Sequence, residues 1–224
     1  MNKNVFPHPS QANEEGIVAM GGDLSVEILL SAYSQGIFPW PHEGLPILWF
    51  CPWERGILEF KNFHVPRSLR KYVNKKKWRY TWDQDFSSVI RACAIVPRVG
   101  QSGTWINDQM ILSYEKFHAA NYAHSLEVWE GEELIGGIYG VFVNNIFSAE
   151  SMFYKKSNAS KWALWQLVNH LQSLGIEWID VQMVTPITES FGAQLISQND
   201  FLLKLHESQK RGPIHGISKP LASR

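Results

Sequence analysis

Apolar residues recur at helical spacing behind Ser25, where Ile28, Leu29, Ala32 and Tyr33 make one face, and Gly36 follows as a stop. A second helical pattern runs over 106–120, with Ile106, Met110, Tyr114 and Phe117 on its buried side. Between these lie the Pro-rich FPWPHEGLP, expected as a loop, and the strand-like runs ILWF and GILEF. Next come a helix begun at Pro66 and continued to Asn74, a strand near Trp78 to Trp82, and a helix from Asp85 to Ala94. After residue 120 the period changes. Residues 124–154 predict a three-strand meander with turns at Glu130-Gly131 and Asn144-Asn145. Asn158 is placed to cap a helix that Gly175 stops after Leu174, and EWIDVQMV reads as the next strand. The tail after Leu205 has little apolar content and is expected to be loosely attached.

A helix-length crossover between the meander and the last strand favours parallel pairing. The pattern therefore predicts an α+β protein whose main domain, 61–224, is a mixed sheet with flanking helices, preceded by a small N-terminal lobe over 1–60. Helix, antiparallel strands, helix and strand in that order is the arrangement of a GNAT-like acyltransferase.

Composition narrows the field. Apolar residues are 45% of 224, enough for a sizeable core. The longest nearly apolar stretch, Ile135 to Val143, is far short of the ~20 residues a membrane helix needs, and the first residues carry no apolar signal segment. Cys51 and Cys93 are too few for a disulfide framework and have no partners at metal-ligand spacing, so a soluble, cytoplasmic chain without metal or cofactor is expected.

Net charge is zero, with 21 basic and 21 acidic residues, but the charge is not evenly spread. Arg67, Arg70, Lys71, Lys75, Lys76, Lys77 and Arg79 fall within thirteen residues with no acidic residue among them. Such a run is often only a solvated face, yet so many like charges repel one another unless a polyanion answers them.

Several stretches together carry a resemblance: MGGDLS (20–25) with AYSQGIFPW (32–40), TWI (104–106), HSLEVW (124–129) with LIGGIYGV (134–141), FSAESMF (147–153) with NASK (158–161), and IDVQ (179–182) with SFGA (190–193). In this order, from about Phe6 to Leu205, the chain resembles the bacterial leucyl/phenylalanyl-tRNA-protein transferases. The resemblance implies transfer of Leu or Phe, and less well Met, from aminoacyl-tRNA to the N-terminal amine of proteins beginning with Arg or Lys, which marks them for N-end-rule degradation. A monomer with no membrane partner is expected. The aminoacyl ester is already an activated acyl donor, so positioning is expected to supply much of the rate.

The resemblance places Asp180, Gln182 and Glu150 at the reaction centre. Asp180 and Gln182 are two apart on one strand and point to one face. An amide oxygen accepts hydrogen bonds but has almost no basicity, so Gln182 is expected to orient the attacking amine, with Asp180 holding that amine or Gln182. Glu150, between apolar Phe147 and Met152, needs a partner. That partner is either the α-ammonium of the transferred amino acid or, less interestingly, Lys161 or Arg55. Trp105, Ile138, Phe147, Met152 and Leu164 are expected to line the pocket for the transferred side chain. Tyr33, Trp40 and Tyr114 are the candidates for stacking on the terminal adenosine, and the basic strip for phosphates. Each of these aromatic and apolar residues could equally be ordinary core.

The chain also departs from the family's usual pattern. Ala149 stands where Gly is usual, Ile187 where His is common, and FYKK and FCPWER replace the customary loops. Two other readings remain at this stage. An acetyl-CoA-dependent GNAT acetyltransferase would need a Gly-rich turn where this chain has KKSNAS, and a non-catalytic tRNA-binding module would not need Asp180, Gln182 and Glu150 together.

Overall fold

The structure is a computed structural model that describes residues 5–42, 44–96, 105–214 and 217; Thr104 of the TWI stretch lies outside them. Two sheets organise the chain. The first is a three-stranded antiparallel sheet of order β1-β3-β2, formed by β1 (Ile17–Met20), β2 (Phe38–Trp40) and β3 (Leu48–Phe50). The helix α1 (Val26–Ser34) lies between β1 and β2 in sequence and ends at Gly36, whose φ of +75° suits glycine. FPW, expected as a loop, is thus a short strand: its rings bury against Phe50 rather than facing water.

The second sheet has seven strands in the order β10-β4-β9-β8-β7-β6-β5. Its meander is β6 (Ala123–Glu130), β7 (Glu133–Val143) and β8 (Ile146–Tyr154), with β5 (Trp78–Trp82) on one edge. Gly131, Asn144 and Asn145 take positive φ in the two turns, as their residue types allow. From β8 the chain crosses through α5 (Ala159–Ser173) to β9 (Trp178–Gln182), which pairs parallel to β8 as expected. Asn158 precedes α5 in the left-handed region without a side-chain capping bond.

One strand lies where sequence reading does not put it. β4 (Glu54–Glu59), assigned to the N-terminal lobe, is hydrogen-bonded between β9 and the edge strand β10 (Gln194–Ser197). The two sheets therefore divide before Glu54, not at Phe60. Gly56 allows the crossing, because a Cβ there would fall 2.8 Å from the Met183 carbonyl carbon.

The remaining helices are α2 (Arg67–Val73), α3 (Phe86–Ile95), α4 (Asp108–Ala119), the short α6 (Pro186–Glu189) and α7 (Gln198–Lys210). One apolar cluster joins α1 and the small sheet to α3, α4 and β7; another joins the large sheet to α2 and α5. As far as Ile214, and at Ile217, the tail is held to the body of the protein rather than loosely attached; residues 215, 216 and 218–224 lie outside the described residues. The Asn145 side chain donates to the carbonyls of Ser208, Arg211 and Gly212 and accepts from Ile214 N, and Ile217 is buried. Among the described residues no helix is long and apolar enough to cross a membrane.

Candidate active site

A cavity of about 530 Å³ opens between β2, the middle of β8, the end of β9, and α6. Its wall is mostly apolar: Trp105, Ile138, Met152 and Leu164 line it as expected, joined by Phe38, Val181, Met183 and Pro186. Sequence periodicity gave no reason to assign these last four. Phe147 does not reach the wall, because it is 1% exposed and packs in the core against Trp82.

The polar part of the wall includes Glu150 and Gln182, with Ser151, Thr185 and Thr188. The Gln182 Nε2 donates to Glu150 Oε1 at 2.8 Å, joining adjacent strands β8 and β9. Tyr33 Oη donates to the same oxygen at 2.8 Å, and the Tyr114 hydroxyl is hydrogen-bonded to that of Tyr33. Glu150 Oε2 is buried and has no hydrogen-bond partner among the described residues. Burial pushes Glu150 up to about 8; the Tyr33 bond, Arg55 and Gln182 oppose that rise and Asp180 adds to it. Neither Lys161 nor Arg55 pairs with it.

Asp180 lies one layer behind. It is 1% exposed, does not line the cavity, and both its oxygens are engaged. Arg55 Nε donates to Oδ1 at 2.8 Å and Arg55 Nη2 to Oδ2 at 2.6 Å; Gln182 N and Ser148 Oγ take up the remaining acceptor positions. The Arg55 guanidinium is itself stacked between the rings of Phe38 and Phe201, 4.5 Å from each centroid. Gln182 has φ +60°, a strained value for a side chain of its size, and its N–H bond to Asp180 Oδ1 holds it there. Asp180 thus shapes the cavity through Gln182 and cannot itself meet a ligand in this arrangement. Arg55 carried no periodic signal that would have identified it as the partner.

Of the three aromatic residues expected to stack on a base, Trp40 lines the cavity and Tyr33 and Tyr114 do not. Tyr33 is 6% exposed and Tyr114 fully buried, so neither offers a ring face. Their helical spacing alongside Leu29, Ala32 and Phe117 was a signal for burial. The basic strip lies apart, on α2, β5 and the turn between them that carries Lys75, Lys76 and Lys77. Arg67, Arg70, Lys71, Lys75, Lys76, Lys77 and Arg79 are all exposed. Arg70 and Lys76 lie over the rings of Trp165 and Tyr72, and Arg79 lies 3.7 Å from Glu132. In the sheet order β5 is three strands from β8, about 14 Å at normal strand spacing.

Among the described residues, Asp83, His118 and His124 are the group whose donor atoms could hold a metal. They lie outside this cavity, and their hydrogen bonds already engage them: His124 Nδ1 with Asp83 Oδ2 and His118 Nδ1 with the Ala123 carbonyl.

Ala149 and Ile187 both line the cavity, so these two departures from the expected pattern fall where a ligand would touch them. A family model described as leucyl/phenylalanyl-tRNA protein transferase matches residues 57–206, and one described as the N-terminal domain of the same protein matches 22–52. A relative from Shewanella baltica strain OS155, named leucyl/phenylalanyl-tRNA–protein transferase, is 46% identical over 205 residues, 91% of this chain and 86% of its own. Relatives of the same name from Pseudoalteromonas atlantica and Oleidesulfovibrio alaskensis are 48% and 46% identical, covering 92% and 91% of this chain and 88% and 84% of theirs. Among solved structures, L-PGS from Bacillus licheniformis has a TM-score of 0.40 at 13% identity over 59% of this chain and 46% of its own, a likeness too weak to argue from.

Proposed function

The chain belongs to the leucyl/phenylalanyl-tRNA protein transferase family, and from that premise we propose how its cavity serves an aminoacyltransferase. The donor is aminoacyl-tRNA carrying Leu or Phe, and the acceptor is a protein. The finer assignments are proposals. Acceptors begin with Arg or Lys, the free N-terminal amine is the nucleophile, Met is a poorer donor side chain, and the product enters N-end-rule degradation. The enzyme works as a cytoplasmic monomer. Its order of helix, meander, helix and parallel strand supports a GNAT-like acyltransferase, with the three-stranded sheet as a small N-terminal lobe.

The observation that carries the site assignment is the Glu150–Gln182 hydrogen bond on the wall of a mostly apolar cavity. The transferred side chain lies against Ile138, Met152, Leu164 and Trp105, which supports tolerance for more than one apolar chain, since such walls discriminate by only about 1 to 3 kcal/mol per methylene. Trp40 stacks on the terminal adenine. Glu150, ionised as the cationic donor enters, accepts from the donor's α-ammonium through Oε2.

Gln182 has one amide end committed to Glu150, so its oxygen is the end left to accept from the attacking amine and aim it at the ester carbonyl. The amine nitrogen forms the new amide bond as the ester C–O bond breaks, and its proton passes to the departing ribose oxygen. Asp180 and Arg55 are positioning residues that hold Gln182. The basic strip binds tRNA phosphates, contacts that carry no sequence information.

Labelled Phe-tRNA mixed with peptides beginning with Arg, acetyl-Arg or Ala tests the reading. Label should pass to the free Arg peptide and not to acetyl-Arg. Equal transfer to Ala would overturn the acceptor assignment, and binding of tRNA with no transfer to any free amine would leave only a tRNA-binding module.

A further inference from the structure

Tyr33 and Tyr114 come from different helices, α1 and α4, yet their hydroxyls meet at Glu150. Each phenol has one proton. Tyr33 gives its proton to Glu150 Oε1, so the proton between the two hydroxyls must come from Tyr114. Burial, followed by the nearby Glu150, raises both phenols well above their ordinary value, so both stay protonated. Two core tyrosines satisfying one another would close the chain on themselves. This chain instead ends on the carboxyl that lines the cavity, and with the Gln182 amide it occupies Oε1 with two donors while Oε2 has none.

We propose that Tyr33 and Tyr114 are positioning residues whose hydroxyl chain caps Oε1 of Glu150, so that the buried, unpartnered Oε2 is the one carboxyl oxygen left to pair with the α-nitrogen of the donor amino acid. This rests on the reading of Glu150 as the donor's α-amino partner. A carboxylate with both oxygens free could rotate and share itself between donor and acceptor amines; a capped one has a single acceptor at a fixed place. Glu150 is faced by Tyr33 from α1, with Tyr114 behind it from α4, by Gln182 and Asp180 from β9, and by Arg55 from β4. Of these only the two phenols can be altered without touching the Gln182 support.

The test compares Phe-tRNA with phenyllactyl-tRNA, which has the same side chain but an α-hydroxyl in place of the α-amine. Tyr33→Phe removes one oxygen and keeps the ring. It should raise KM for Phe-tRNA about tenfold with kcat nearly unchanged and leave the phenyllactyl donor unaffected. It should also move the acid limb of the kcat/KM profile to higher pH, because the bond it removes opposes the rise caused by burial. Tyr114→Phe acts only through Tyr33 and should shift both in the same direction by about threefold; it carries the test if Tyr33→Phe does not fold.

Equal losses with both donors, or an unmoved pH profile in a folded variant, would overturn the proposal. Glu150→Gln separates the layers. If it keeps the wild-type preference for the amine-bearing donor, the reading of Glu150 fails. If it loses that preference while Tyr33→Phe keeps it, the tyrosine proposal alone fails.

Discussion

Arg55 and Asp180 form a two-bonded ion pair with both side chains 1% exposed, 125 residues apart in the chain. Removing one partner leaves a buried charge without an answer, which typically costs about 3 to 5 kcal/mol. Arg55→Met should lower unfolding stability by that order. Arg55→Lys should recover only part of it, since an ammonium cannot reproduce the fork. Denaturant unfolding measures both. Equal stability of Lys and wild type would show that the two-bond geometry is unimportant.

Asp180→Ala should reduce turnover by at least an order of magnitude while tRNA affinity barely changes. The carboxylate fixes the Gln182 backbone and lies outside the cavity, so its removal disturbs the aim of the amine and not the grip on RNA. Single-turnover transfer and filter binding, run side by side, separate the two quantities.

The burial of Glu150 makes a prediction about stability. The folded protein keeps this proton up to about pH 8, whereas the unfolded chain releases it near its ordinary 4.5. Between those values the native state binds more protons than the unfolded state, so this group lowers stability as pH rises through the window, and the loss levels off above it. Glu150→Gln lacks the titration. Its stability relative to wild type should therefore increase between about pH 5 and about pH 8, by on the order of a few kcal/mol, even as amine-donor preference is lost. A difference independent of pH in urea unfolding would rule out the buried acid.

Ala149 lies opposite Gly140 on β7 and on the cavity wall. Ala149→Val should shrink the space for the transferred side chain and cut kcat/KM for Phe-tRNA by at least about tenfold, with a smaller loss for Leu-tRNA. Paired donor kinetics would show it; an equal loss for both would point to general misfolding of β8.

Lys75, Lys76 and Lys77 changed together to Ala should weaken tRNA binding and make the slope of log affinity against log salt shallower by about 2. Transfer to peptide at saturating tRNA should stay near normal, because the strip is three strands from the chemistry.

Much of this architecture was legible because its signals are local. The face of Leu29, Ala32 and Tyr33, the Asn144-Asn145 turn and the crossover through α5 each declare themselves within a few residues. The matched motifs put Glu150 and Gln182 at one centre but did not reveal their direct hydrogen bond, since the partners expected for Glu150 were an α-ammonium, Lys161 or Arg55. What escaped was long-range. Nothing in GILEF tells that β4 inserts between β9 and β10, and that insertion is what brings Arg55 to Asp180. Tyr33 and Tyr114 have the ring chemistry of a base-stacking residue, but their place on buried helix faces keeps both rings in the core.

The insertion of β4 also orders events in time. Its residues leave a ribosome long before 178–182, and no earlier segment supplies the edge against which they finally pair. Closing so long a span is slow and entropically costly, so the nascent chain holds an unpaired strand, with Ile57 and Leu58 uncovered, for most of its synthesis. Activity should therefore appear abruptly, only once the last strands have been made, and incomplete chains should be prey to chaperones or aggregation and carry no partial enzyme function.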